Sequence, residues 1–236
     1  MIYMNKDNVF HLTTDKTSYV FRALKTGQLE SMYYGRKIRN SDNMDYLLDK
    51  HAAGYSNATP YTQEDKSLSL DHIALEYSAY GKGDYRLPAM QLMSADGNFT
   101  TDFKFKSAAV TKVKPQLKGL PSAYGESETL TVVLEDTVLG AELHMFYTVY
   151  EKSNVITRSV RLINNSKKVI IIDDIKNSNI QQAIFILKDK TKAIEDYNIL
   201  EEANHIIYQY VSHNNIYSPR PVKKKRRLFG RGKHQS

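Results

Sequence analysis

Three carboxylates and one guanidinium crowd into residues 69–89: Asp71, Glu76 and Asp84 with Arg86. Paired acids can act as general acid and base when burial separates their pKa values. Loop carboxylates also cap backbone amides and pair with arginine, and Asp84 with Arg86 has the spacing of such a strut. The same stretch carries Tyr77, Tyr80 and Tyr85 among Gly81, Gly83 and Pro88. Tyr80 and Tyr85 are candidate recognition rings; packing on a sheet is the plainer use of such rings. Neither helical nor strand periodicity fits the segment, so it reads as a long ordered loop of the kind that carries recognition on a rigid scaffold.

Other chemistries find little support. The seven histidines, His11, His51, His72, His144, His205, His213 and His234, include no i, i+4 pair with an intervening Glu, so no zinc motif is present. There is no cysteine, which excludes disulfides, thiolate metal sites and a Cys nucleophile. No Gly-x-Ser-x-Gly elbow occurs. Gly81-Lys82-Gly83 lacks the spacing of a phosphate loop. The spacing of these residues gives no metal site.

The charge is unevenly placed. The chain of 236 residues has 33 basic and 26 acidic residues, a formal net charge of +7. Eight of the basic residues lie between Arg220 and Lys233 with no acid among them; 33 less 8 leaves 25 against 26. The basicity therefore belongs to a tail with a run from Lys223 to Arg227, not to a nucleic-acid-binding fold. No apolar run approaches the roughly 20 residues of a membrane span. The first residues lack a basic segment followed by an apolar stretch, so the expected compartment is the cytoplasm.

The elements that must hold the loop are strands. Alternation with β-branched and aromatic residues marks residues 9–14, 18–24 and 29–38, giving three strands in the first 40 residues. Residues 40–66 read as an irregular excursion. Strands resume around Met90 and Leu92, then around Phe103 to Val113, and a meander follows over residues 129–134, 139–150 and 155–163. Residues 169–172 fit a buried strand. Turns are expected at Thr26-Gly27, Asp96-Gly97 and Ser153-Asn154. Many short strands predict a mainly β fold, a large antiparallel β-sandwich over residues 1–174.

After residue 174 the pattern changes. Ile180, Ala183, Ile184, Leu187, Ile194, Tyr197, Leu200, Ala203, Ile207, Tyr210 and Val211 follow helical spacing, and Ser178 with Gln181 forms a possible capping box. The expected layout is an amphipathic helical segment over 175–213 and a basic, disordered tail over 214–236. The helix could pack on the sandwich, bind a partner, or come from a shifted reading frame.

Specific blocks carry a resemblance. Ser69-Leu70-Asp71, Glu76-Tyr77, Tyr80-Gly81, Asp84-Tyr85-Arg86 and Pro88-Ala89 resemble the pattern of the N-terminal domain of glycoside hydrolase family 36, the bacterial α-galactosidases. Thr101-Asp102-Phe103, Gly119-Leu120-Pro121, Val155-Ile156-Thr157-Arg158-Ser159 and Asn164-Asn165 are similar to it in the same order, to about Ile172. Ala74 departs from it, where the family usually has Pro.

The resemblance implies a galactose-mutarotase-like supersandwich supporting a retaining hydrolysis of terminal α-galactosides such as melibiose and raffinose, with no metal and no organic cofactor. A retaining glycosidase needs two carboxyl groups roughly 5–5.5 Å apart. In the family both are Asp residues on a separate barrel, the nucleophile in a Lys-Trp-Asp motif. This chain has no Trp, so it is expected to be an α-galactosidase truncated before that barrel and inactive alone. Its expected partners are further copies of itself or a separate barrel-bearing chain, not membrane or nucleic acid. Tyr80, Asp84, Tyr85 and Arg86 are the candidates for one lip of a neighbour's pocket. Tyr55 and Tyr61, in the irregular region, could also stack on sugars. A stand-alone carbohydrate-binding or assembly module, and an anionic-partner binder working through the tail, are the other readings.

Overall fold

The structure is a computed structural model that describes residues 1–49, 59–64, 66, 68–115, 125–175 and 216–217. Within them the regular structure is almost wholly β-sheet, its strand pairs antiparallel except for one short parallel pair. The first sheet has the order β1 (Ile2–Met4), β2 (Val9–Thr13), β3 (Thr17–Ala23) and β4 (Leu29–Arg36). A three-stranded sheet joins β5 (Met90–Ser94) to β10 (Ile170–Ile175) and β11 (Ile216–Tyr217). The second four-stranded sheet is a meander of β6 (Lys104–Thr111), β7 (Glu128–Asp136), β8 (Ala141–Tyr150) and β9 (Val155–Asn164).

Strand alternation explains the core. Leu130, Val132 and Leu134 on β7 and Ala141, Leu143, Met145, Tyr147 and Val149 on β8 sit at every second position and are buried. They pack with Phe10, Leu12 and Phe21 of the first sheet and Leu92, Ile170 and Ile172 of the three-stranded sheet into one core. Phe21 lies between Phe10 and Tyr147, with ring centroids 4.9 and 4.8 Å away. Rings this close exceed the contribution of their buried area alone.

The first sheet is covered on both faces. Val20, Met32 and Met44 form a second apolar cluster with Ile38, Leu47 and Leu48, so part of the irregular 41–48 stretch lies over the outer face. His11 and Ser18, which face that side by alternation, are buried there. His11 Nδ1 is 3.0 Å from the Asn40 side-chain oxygen, and Nε2 is 2.9 Å from Ser18 Oγ. An amide oxygen only accepts, so Nδ1 carries the proton and Nε2 accepts from Ser18. Burial lowers the His11 pKa below 6.5.

Turns fall where glycine or asparagine relieves a left-handed backbone. Gly27 has φ +99°, and a Cβ there would lie 2.8 Å from Lys104 Cβ. Asn154, at φ 55°, turns β8 into β9.

The first 36 residues hold four strands, not three. The additional β1 pairs with β2 through three residues, too few to show a period. Two-residue β11 runs parallel to β10, Ile170 opposite Ile216. The helical segment expected over 175–213 lies outside the described residues, apart from Ile175 at the end of β10. So does the basic tail, apart from Ile216–Tyr217. No described helix is long and apolar enough to cross a membrane.

Candidate functional site

The 69–89 loop closes around Arg86. Its Nε donates to Asp84 Oδ1 at 2.8 Å, and its terminal nitrogens donate to the carbonyls of Ile73 (2.5 Å) and Leu70 (2.7 Å). Asp84 Oδ1 also accepts the Arg86 backbone N–H at 3.2 Å. The Asp84 side chain is 1% exposed and that of Arg86 40%. Gly81, Lys82 and Gly83 all have positive φ and form a tight turn. A Cβ on Gly81 would meet Thr100 Cγ2 at 2.8 Å, which is why glycine stands there.

The rings divide by environment. Tyr85 is 78% exposed and Tyr80 46%. Tyr80 meets Phe99 edge-on at 6.4 Å, and the Tyr85 hydroxyl lies 3.1 Å from Thr59 Oγ1. Tyr77 is packed against the core, and burial raises its pKa. Of the four lip candidates, Tyr80, Tyr85 and part of Arg86 face solvent, while Asp84 is enclosed and holds Arg86. The Tyr61 hydroxyl shares its one proton between the two oxygens of Asp102, at 2.9 and 2.8 Å. Tyr55 lies outside the described residues.

The three loop acids have separate partners. Asp71 accepts from Ser69 Oγ and lies 3.9 Å from His72 Nε2. Asp84 holds Arg86. Glu76 points inward, its side chain 2% exposed, and takes three donors from distant strands. Tyr19 on β3 donates to Oε2 at 2.5 Å, Tyr147 on β8 to Oε1 at 2.9 Å, and Arg158 on β9 approaches Oε1 at 3.2 Å. Arg158 also donates to the Glu76 carbonyl at 2.9 Å and lies over the Tyr147 ring. Burial, then the neighbouring carboxylate charge, raises the Tyr19 and Tyr147 hydroxyls far above their ordinary pKa. Both therefore stay protonated donors. Glu76 is seated by a bridge alongside β4, where its N–H donates to the Leu29 carbonyl at 2.9 Å and Leu75 pairs with Glu30.

This arrangement joins two sequence blocks, Glu76-Tyr77 and Thr157-Arg158-Ser159, that composition gives no reason to connect. The signal was an arginine on an otherwise apolar strand face, which needs an acid somewhere. Above the cluster Tyr19, Tyr34, Tyr147 and Arg158 line an open cleft of about 300 Å³. Among the described residues no group of three or more His, Asp or Glu could hold a metal ion.

The fold and these blocks coincide with a known domain. Residues 27–182 match the family model described as the glycosyl hydrolase family 36 N-terminal domain, and the chain belongs to that family. Alpha-galactosidase AgaA of Geobacillus stearothermophilus is 39% identical over 166 residues, covering 69% of this chain and 22% of the relative. The bifunctional alpha-galactosidase/sucrose kinase AgaSK of Mediterraneibacter gnavus is 36% identical over 73% of this chain and 19% of its own length. Among solved structures, the galactosidase domain of AgaSK superposes with a TM-score of 0.67 over 74% of this chain and 25% of that one, at 36% identity. The chain thus spans about a quarter or less of the proteins it matches.

Proposed function

We propose that this polypeptide serves as the non-catalytic N-terminal β-domain of an α-galactosidase. It supports the hydrolysis of terminal α-galactosides, of the melibiose and raffinose kind, by catalytic carboxylates that lie outside these 236 residues. The observation that carries this is the state of the loop acids. A retaining glycosidase needs one carboxylate free to attack and one free to exchange a proton. Glu76 is taken by two tyrosines and an arginine, and the Asp84 side chain is enclosed against Arg86, which leaves Asp71, bonded to Ser69, with no second available carboxylate in the loop. The domain match to enzymes named α-galactosidases supports the same reading.

Its contribution in the assembled enzyme is structural support and one rim of a pocket. Tyr80, Tyr85 and Arg86 form that rim, with Asp84 holding Arg86 in place. Exposed Tyr85 and Leu87, at 78% and 75%, are apolar surface suited to a neighbouring copy or a barrel-bearing chain. A cytoplasmic setting fits a chain without cysteine. The exposure of Tyr80 and Tyr85 favours a second reading, a stand-alone carbohydrate-binding or assembly module. The experiment is an assay of the purified polypeptide on a chromogenic α-galactoside, alone and mixed with a separately produced catalytic region. The first reading expects no turnover alone and association with the catalytic region. The second expects sugar binding with no such association.

A further inference from the structure

We infer that the open edge of the sandwich between β4 and β9 is a ligand site for one neutral sugar ring, apart from the 69–89 loop. Register defines the edge. Tyr19 pairs with Tyr34 across β3 and β4, so both point to the inner face, and Tyr147 pairs with Arg158 and Val149 with Ile156 across β8 and β9. The Ala74–Glu76 backbone covers the first half of β4, through Ser31 to Ala74 and Glu76 to Leu29 bonds. The second half has no such cover among the described residues, and there Tyr34 is 74% exposed. The resulting cleft, about 300 Å³, is at the small end of ligand pockets.

Its chemistry alternates ring and hydrogen-bonding group. Tyr34 stands perpendicular to Tyr19 at 5.8 Å, an exposed aromatic wall. Asn154 spends its oxygen on the Lys16 N–H at 2.8 Å, which leaves its amide protons to donate. Arg158 has five N–H groups and gives only part of them to Glu76. Aromatic faces beside fixed donors suit a ring that is apolar on its C–H face and hydroxylated at its rim. The lining favours a neutral ligand: its one charged group, Arg158, is already paired with Glu76 at 3.2 Å, and the other lining residues, Thr17 and Ile156 included, are uncharged. A phosphate would gain no net attraction. The inference rests on the cleft alone and not on the α-galactosidase reading.

Calorimetric titration of the full chain with D-galactose, D-glucose and inorganic phosphate tests it. Expected are saturable binding of at least one hexose, with Kd on the order of millimolar, and none of phosphate. Tyr34→Ala should weaken binding about tenfold or more, and Tyr46→Ala, at another exposed ring, should leave it unchanged. If Tyr34→Ala fails to fold, galactose-dependent shifts of the Tyr34 and Tyr147 ring protons in the unaltered protein replace it. Three outcomes would overturn the site: no hexose binding, preference for phosphate, or binding lost in Tyr85→Ala but kept in Tyr34→Ala.

Discussion

Arg158 and Glu76, 82 residues apart, meet twice: guanidinium to carboxylate at 3.2 Å and guanidinium to backbone carbonyl at 2.9 Å. The contact fastens the 69–89 loop to β9 at the base of the open cleft. An arginine on an inner face is tolerated only because an acid from the loop reaches it. The loop is thus part of the core's electrostatics, not a decoration on it.

Glu76→Leu should be strongly destabilising, by about 3–5 kcal/mol, because it leaves the Arg158 charge inside without a partner. Arg158→Met in the same background should recover part of that loss. Urea unfolding of the two single variants and the double variant measures the coupling. Equal and additive losses would show that the pair does not act as a unit.

Arg86→Ala should loosen the loop more than the fold. It strips donors from the Leu70 and Ile73 carbonyls and leaves the enclosed Asp84 carboxylate without its cation. The expected loss is about 1–3 kcal/mol. Faster amide exchange should concentrate in residues 69–89, with β7 and β8 unchanged.

The pH dependence of stability follows from His11. Its pKa is lowered in the folded protein, so the unfolded chain binds the proton more readily. The contribution of the neutral, hydrogen-bonded ring is complete above the ordinary value of 6.5 and is lost as pH falls below it, toward the lowered folded pKa. Denaturation midpoints measured from pH 8 to 5 should decline across the lower part of that range. His11→Gln should flatten the decline, whatever it does to stability at pH 8.

Gly27→Ala should destabilise by more than about 1 kcal/mol, because φ is +99° and the new methyl carbon meets Lys104 Cβ and backbone. Gly97→Ala, where nothing lies within 4 Å of the added carbon, carries only the backbone strain. Thermal unfolding of both variants should rank Gly27→Ala as the less stable.

The strand pattern was legible because the meander obeys a strict period of two: Leu143, Met145 and Tyr147 face in, and Asn154 marks a turn; Gly140, inside the strand expected over 139–150, instead belongs to the turn before β8, with φ +71°. The Asp84–Arg86 strut was legible because both partners lie within one turn of chain. β1 was not, since three residues show no period. Nor was the meeting of Glu76 with Tyr19, Tyr147 and Arg158, which depends on the stacking of two sheets and leaves no local trace. The double burial of β2 and β3 was hidden for the same reason, as the apolar cover comes from a polar-looking stretch that carries Met44, Leu47 and Leu48.

The most direct test is turnover of a chromogenic α-galactoside by the purified 236-residue polypeptide, free of any companion protein. The account expects a rate indistinguishable from buffer, with and without added metal. Turnover that copurifies with the folded polypeptide and disappears in Asp71→Asn or Asp84→Asn, both still folded, would contradict it and return catalysis to the loop acids.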